Sequence, residues 1–211
     1  MNVEDFEPMG SNCEFGFVLQ SLGNGVPSLL RWTSIQITDL ARLIDADFAE
    51  CFDKEQVRPH TDDMVLDQRY QWAFHSALKS ENGQFVMEPR RLEKLFGIER
   101  ARLQAAIAKF RERLRGSKVI CVFSADGISD EQVMELRVAI DRFSGHGDNG
   151  LVVVSSSEEW PGEWAGESEL RSLSPRTWRA AVSRLAPWHQ SNDADYENWT
   201  KLLTAAAAAQ G

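Results

Sequence analysis

The stretch KVICVFSADGISDEQVMELRVAIDRFSGHGDNGLVVVSS, residues 118–156, decides the fold class of this chain. Its ends, KVICVF at 118–123 and GLVVVSS at 150–156, are short apolar runs rich in β-branched residues, which is typical of strands buried on both faces. Between them, Ser129 and Gln132 form a capping-box pattern ahead of an apolar stripe at helical spacing, which predicts a helix. A strand, a helix and a strand in this order predict parallel pairing through a right-handed crossover.

Hydrophobic periodicity predicts further elements on both sides of this unit. Apolar residues at helical spacing indicate four more helices, over Cys13 to about Leu22, Leu40 to Phe48, Pro89 to Gly116 and Tyr196 to Ala209. Ser11 or Asn12 is the expected N-cap of the first helix. Residues 65–75 alternate between two faces, which predicts one strand with His75 on the face opposite the aromatic residues. The acidic, glycine-rich segment 155–169 lacks periodicity and is predicted to be a surface loop.

These elements together predict one layered α/β domain over residues 1–211, with a mainly parallel sheet flanked by helices. The sheet is expected to be Rossmann-like but to lack a nucleotide-binding glycine fingerprint. At 211 residues, with 43% hydrophobic and 26% charged residues, the chain has the size and composition of a soluble globular protein with one substantial core.

Net charge, apolar runs and cysteine spacing argue against several classes of protein. The formal net charge of −9 disfavours non-specific binding to nucleic acid or anionic membranes, because those surfaces are themselves negative. No run approaches the roughly 20 apolar residues of a membrane-spanning helix, and no secretory signal peptide is recognisable, so a cytoplasmic location is expected. Cys13, Cys51 and Cys121 show no CxxC spacing, so neither a disulfide framework nor a metal site is expected, and the last two are interpreted as structural.

The stretch that carries chemistry is GSNC, residues 10–13, just before the predicted first helix. Loops that leave the carboxyl ends of strands are the usual ligand sites of layered α/β proteins. The free amides and partial positive charge of a helix's first turn lower a thiol's pKa, so Cys13 is expected to be a nucleophile. Gly10, Ser11 and Asn12 are the expected oxyanion and substrate-binding residues, because Gly10 allows close approach and the Asn12 side chain supplements the amides. The alternative is that Cys13 only packs as a small buried residue.

A cysteine nucleophile also needs a base, and the chain has 4 histidines. We favour His75, because a rigid strand end would hold its ring near a neighbouring loop. His60, in a polar segment, and His189, near the acidic carboxyl-terminal region, are the alternatives. His146 lies in a glycine-rich turn.

Several stretches resemble one bacterial family. GSNCEFGFVLQSLG at 10–23 and SLLRWTS at 28–34 resemble the opening of uncharacterised proteins, common in alphaproteobacteria and related to proteins assigned by inference as papain-like cysteine peptidases. The resemblance continues in DQRYQWAFHS at 67–76, FRERLRGSKVICVFSADGISDEQV at 110–133 and RLAPWHQSNDADYENW at 184–199. It implies a catalytic pair of Cys13 and His75, with Asn12 in the oxyanion region and Arg31 near the site.

A second resemblance, confined to the turn, is to capsule-polysaccharide acetyltransferases with a glycine-asparagine-cysteine loop. It implies coenzyme A as cofactor and a sugar hydroxyl as acceptor, with the basic face of residues 90–115 receiving the cofactor's phosphates unless that face is merely solvated. Three functions therefore stay open: a cysteine hydrolase of acyl or amide bonds without a cofactor, a coenzyme A-dependent acetyltransferase, and a non-catalytic binding module. The expected substrate is a small molecule, a glycan or a peptide, and the sequence gives no oligomeric state.

Overall fold

The computed structural model describes residues 1–116, 118–159 and 169–211. The α-helices in these ranges are α1 Glu14–Ser21, α2 Ile37–Asp45, α3 Pro89–Gly116, α4 Asp130–Ser144 and α5 Tyr196–Gln210. The strands are β1 Phe6–Pro8, β2 Thr33–Ser34, β3 Val57–Thr61, β4 Met64–Asp67, β5 Trp72–His75, β6 Ser80–Glu81, β7 Gln84–Phe85, β8 Ile120–Ser124, β9 Gly150–Ser156, β10 Leu170–Ser174 and β11 Thr177–Val182.

Five of the strands form a mostly parallel sheet in the order β1-β8-β9-β11-β10. Strands β1, β8, β9 and β11 pair in parallel, and β10 joins β11 antiparallel at one edge. The parallel pairing predicted for the stretch 118–156 is confirmed, with α4 between β8 and β9. The fold is therefore layered α/β with a mainly parallel sheet flanked by helices, whereas a Rossmann-like arrangement stays a prediction.

Side chains of β8 alternate between the two faces of this sheet, as the pleat of a strand requires. Ile120 and Val122 pack into one apolar cluster with residues of α1 and α5. Cys121 and Phe123 pack into the opposite cluster with residues of α2, α3 and α4. The apolar runs of the central strands thus face helices on both sides, which is why they lack polar alternation.

A second sheet is antiparallel, in the order β2-β5-β4-β3, and it corrects the strand predicted over residues 65–75. That segment is a hairpin, in which β4 and β5 pair antiparallel around a turn. The carboxylate of Asp67 accepts hydrogen bonds from the amides of Arg69, at 3.0 Å, and Phe52, at 2.7 Å. An aspartate whose side chain accepts the backbone amide two residues further along favours a turn. The chain therefore reverses direction after Asp67, although the alternation of apolar residues continues through the turn.

Most helices follow their local sequence signals closely, but α2 covers Ile37–Asp45 and not the predicted Leu40 to Phe48, because Asp47 and Phe48 adopt positive φ angles of 49° and 58°. Helix α3 begins at Pro89 and ends at Gly116 as predicted, and α4 has the expected capping box of Ser129 and Gln132. Of the predicted loop 155–169, residues 155–156 end β9 and Ser157–Glu159 form a 3₁₀ turn, while residues 160–168 lie outside the described residues. In the described ranges, each helix is too short or too polar to cross a lipid bilayer.

Candidate functional site

Residues 10–13, called here the thiol turn, leave the carboxyl end of β1 in a tight, strained conformation. Gly10 has a φ of 85° and Ser11 a φ of 81°, a region that residues with side chains rarely adopt. A Cβ at Gly10 would lie 2.9 Å from Cγ2 of Ile35 and 3.0 Å from Oγ1 of Thr33. Glycine is therefore needed at position 10 both for its backbone angle and because the turn packs directly against β2.

Cys13 itself is the N-cap of α1. Its carbonyl oxygen accepts the amide of Phe17 at 3.2 Å, which is the first hydrogen bond of the helix. The Oδ1 atom of Asn12 accepts the amide of Glu14 at 2.9 Å, so Asn12 supplies the capping oxygen expected of an N-cap from one position earlier. The Oγ atoms of Ser11 and Ser124 lie 3.3 Å apart, which joins the turn to the carboxyl end of β8.

Burial acts against ionisation of the Cys13 thiol. The residue is partly buried, and loss of hydration raises the pKa of the thiol above its ordinary value. This direction is opposite to the one expected from the helix N-terminus alone. The thiol is therefore protonated at neutral pH and needs a base in order to react.

The thiol turn opens into a cavity of about 610 Å³, called here the thiol pocket. Four separate stretches of the chain contribute to it: the turn itself, strand β2, the β3–β4–β5 hairpins and the 3₁₀ turn at 188–190 with the residue after it. The described lining residues are Ser11, Asn12, Cys13, Thr33, Ser34, His60, Thr61, Asp62, Asp63, Met64, His75, Trp188 and Ser191. The structure thus brings Cys13 and His75 to one pocket, while Gly10 supports the turn from outside the lining.

His75 is held beside a carboxylate by the pairing of β4 with β5. Met64 lies opposite His75 in this pairing, and the amide of Ser76 donates to the carbonyl oxygen of Asp63 at 2.9 Å. The Nδ1 atom of His75 lies 3.2 Å from Oδ2 of Asp63. His60 lines the same pocket from a bulge in β3, so two imidazoles face the cavity that contains the thiol.

The other two histidines lie elsewhere. His189 is not part of the described lining, although its ring centroid lies 5.8 Å from that of Trp188. His146 lies in the turn after α4, where its Nδ1 atom accepts the amide of Asp148 at 3.2 Å. Of the described residues, His60 and His75 are therefore the histidines with access to the pocket.

The structure does not place Arg31 in the site, where the resemblance implies it. Arg31 is only 3% exposed, and the described lining of the thiol pocket does not include it. Its guanidinium donates to three carbonyl oxygens, those of Gly16 and Asn24 at 2.8 Å and of Val26 at 3.0 Å. Arg31 therefore fixes the segment after α1 and lies outside the described lining of the thiol pocket.

A buried carboxyl group lies directly behind the thiol turn. Glu14 has no exposed surface, and its Oε1 atom accepts the indole N–H of Trp199 at 2.9 Å. Burial raises the pKa of Glu14 to about 7. Hydrogen bonds from Trp199, the Ala186 backbone and Asn12 favour the carboxylate and lower the pKa, but burial is the larger effect. Glu14 thus links the start of α1 to α5 with a group that titrates near neutral pH.

Acidic side chains dominate the charge of the thiol pocket. Asp62 and Asp63 line it, and its described lining contains no lysine or arginine. Some of the basic residues of α3 are engaged with acidic partners, in the pairs Arg102–Glu99, Arg111–Asp47 and Arg113–Glu7. In the described part of the chain, no cluster of three or more histidine, cysteine or acidic residues is suited to hold a metal ion.

Sequence reasoning missed Asp63, Asp62 and Trp188 as residues of the site. The acidic pair has a weak local signal, because two aspartates between two apolar runs are typical of a hairpin turn. Trp188 has no such local signal, because only the folding of the chain brings it to the pocket.

The chain matches no family model, no curated protein and no solved structure. The resemblance to a family related to papain-like cysteine peptidases therefore stays a prediction. What supports a function is the geometry of the thiol pocket.

Proposed function

We propose that the protein is a cysteine-dependent hydrolase of an acyl or amide bond, with Cys13 as nucleophile and His75 as base. One observation carries the proposal: Cys13 and the His75–Asp63 pair line the same pocket. A thiol, an imidazole and a carboxylate that orients the imidazole form the arrangement used for nucleophilic catalysis on many unrelated folds. The site then lies where Rossmann-like sheets bind ligands, beyond the carboxyl end of a parallel strand.

Asp63 gives the two ring nitrogens of His75 different tasks. The Nδ1–H group donates to the Asp63 carboxylate, which leaves Nε2 as the acceptor for the thiol proton. As the Cys13 sulfur attacks the substrate carbonyl carbon, Nε2 takes the thiol proton and then gives it to the leaving group. Attack of water on the resulting thioester, with the same nitrogen as base, releases the acid and restores the thiol.

The start of α1 supplies donors for the negative oxygen that forms in each attack. Amides in the first turn of a helix lack acceptors within the helix, and those of α1 begin beside the sulfur. The Oδ1 atom of Asn12 is occupied by the amide of Glu14, so the oxyanion is served by the Nδ2 group, through the N–H that does not interact with the Glu14 carboxyl group. This assignment refines the predicted role of Asn12 and leaves Ser11 as a lining residue.

The pocket's charge favours the hydrolase over the coenzyme A-dependent acetyltransferase. Coenzyme A carries several phosphate charges, whereas the described lining offers two carboxylates and no cationic side chain of lysine or arginine. The orienting contact of His75 with Asp63 favours catalysis over a binding module, because a loop that only binds has no need of an oriented base. A cytoplasmic location and a relation to papain-like peptidases accompany the proposal as predictions.

Hydrolysis of p-nitrophenyl esters and coumarin amides tests the proposal. We expect turnover by the unaltered protein, loss of turnover in Cys13→Ser and His75→Gln, and a trapped thioester on Cys13 in mass spectra. Cys51→Ser and His146→Gln are matched controls, because Cys51 and His146 are not part of the described lining. Turnover that persists in Cys13→Ser, or coenzyme A-dependent transfer in place of hydrolysis, would contradict the proposal.

A further inference from the structure

We propose that the thiol pocket selects substrates that carry a cationic group, an ammonium or a guanidinium, near the bond to be cleaved. This inference rests on the proposed function, which it deepens by naming a substrate class. It is carried by two features of the pocket: a pair of carboxylates with no lysine or arginine in the described lining, and an exposed tryptophan at its wall.

The carboxylates face the cavity with little to balance them. Asp63 contacts His75 and still has a side chain that is 50% exposed. Asp62 is exposed, and within the described residues its carboxylate has no hydrogen-bond or ion-pair partner. Because the described lining contains no lysine or arginine, the pocket is negative whenever its histidines are neutral. A cationic substrate is attracted to such a cavity and an anionic one is repelled.

The second feature is Trp188, which is 78% exposed. A tryptophan is usually largely buried, because its large apolar surface is costly to leave in water. Here the 3₁₀ turn presents the side chain to the pocket, with Ser191 Oγ donating to the Trp188 carbonyl at 2.7 Å. An indole face binds ammonium and guanidinium groups through its quadrupole and also covers the apolar stem of a lysine or arginine side chain.

The two features together distinguish a cation from other occupants. An aromatic ring would stack on Trp188 but would gain nothing from the carboxylate of Asp62, and a neutral sugar would donate hydrogen bonds to that carboxylate without the attraction between opposite charges. A carboxylate or phosphate would be repelled by both aspartates. A cation gains from the indole quadrupole and from charge attraction to the carboxylate, so it is the occupant for which the two features add electrostatically.

The p-nitrophenyl esters of three acylated amino acids test the inference. They are Nα-acetyl-lysine, its uncharged Nε-acetyl form and Nα-acetyl-glutamate. We expect kcat/KM to be about tenfold higher for the lysine ester than for the uncharged form, and lowest for the glutamate ester. Asp62→Asn and Trp188→Ala should each reduce the lysine preference, and added salt should weaken it. Glu135→Gln on α4 removes one exposed negative charge outside the described lining and should leave the preference unchanged.

Binding to Cys13→Ser separates failure of this inference from failure of the proposed function. Calorimetry would compare Nα-acetyl-lysine amide with its uncharged Nε-acetyl form. Equal turnover of all three esters by the unaltered protein would overturn the charge preference and leave the hydrolase intact. No turnover, with the lysine amide bound more tightly in an Asp62-dependent way, would overturn the hydrolase and support the cation site. No turnover and no binding preference would overturn both.

Discussion

The Nδ1 atom of His75 lies 3.2 Å from the Oδ2 atom of Asp63, and both side chains are about half exposed. The contact exists because β4 and β5 pair in a register that places the residue before β4 next to the end of β5. A contact of this kind favours the tautomer of His75 that carries its proton on Nδ1, at the wall of the pocket that contains Cys13.

Replacement of Asp63 by asparagine should lower kcat for an uncharged ester by about 10- to 100-fold with little change in KM, because the amide permits the wrong tautomer of His75. The loss is expected to be modest for this kind of contact, since an exposed carboxylate holds its partner less firmly than a buried one. Steady-state kinetics across a pH series measures it. Asp45→Asn, which alters an exposed ion pair with Arg142, is the control. A change in KM alone would show that Asp63 binds substrate and does not orient the base.

Alkylation with iodoacetamide should label Cys13 before Cys51 and Cys121. Cys13 opens to the thiol pocket, whereas burial raises the pKa of Cys51 to about 11 and Cys121 is fully buried. Because burial also raises the pKa of Cys13, its labelling rate should still be rising above about pH 9. Mass spectrometry of tryptic peptides gives each rate. A plateau near neutral pH that is lost in His75→Gln would instead show a thiolate–imidazolium pair and would contradict general-base activation.

Substitution of Gly10 by alanine should destabilise the protein far more than the same change at Gly23. Both glycines have a positive φ, 85° and 88°, so each variant loses about 1 kcal/mol through its backbone angle. Only Gly10 has atoms of Ile35 and Thr33 within 3.0 Å of the added Cβ, whereas Gly23 has no such neighbour within 4 Å. Urea unfolding of both variants measures the difference. Equal losses of stability would mean that the thiol turn does not need its close contact with β2.

Glu14→Gln should make the stability of the protein less dependent on pH. Glu14 has a pKa of about 7 in the folded state against an ordinary 4.5, so between these values the folded protein holds a proton that the unfolded chain has lost. The stabilising contribution of Glu14 is therefore complete below about pH 4.5. As the pH rises towards 7 this contribution is lost, and the free energy of unfolding decreases by at most about 3 kcal/mol. Urea unfolding at about pH 5 and about pH 8 measures the slope. Burial also raises the pKa of Glu7, so the slope should decrease and not vanish. An unchanged slope would contradict the assignment, and Glu135→Gln is the exposed control.

Local signals made much of the fold predictable. Apolar runs at 118–123 and 150–156, with the capping box between them, predicted two parallel strands and their helix because each signal lies within a few residues. The hairpin of β4 and β5 escaped prediction, since the alternation of apolar side chains continues through its turn at Asp67. The second sheet depends on pairings between distant segments, such as β2 with β5, which no local pattern specifies.

The candidate site was predictable only in part, because it too is formed by segments that are distant in the sequence. The sequence placed a thiol at a helix start and a histidine at a strand end, and the structure brings both to one pocket. The raised pKa of Cys13 could not be foreseen, because burial of the sulfur depends on the packing around it. Arg31 belongs to a conspicuous motif, yet its guanidinium is occupied by carbonyl oxygens that lie 5 to 15 residues away in the chain.

The four stretches that surround the thiol pocket have a consequence for biosynthesis. A ribosome makes the segment at 188–191 only after the turn at residues 10–13 and the chain between them. During translation, before these walls form, the sulfur is exposed and has the ordinary pKa of a thiol, because the raised pKa of Cys13 is caused by burial in the folded protein. The pocket around Cys13 is therefore complete only when the segment at 188–191 has folded against the earlier stretches.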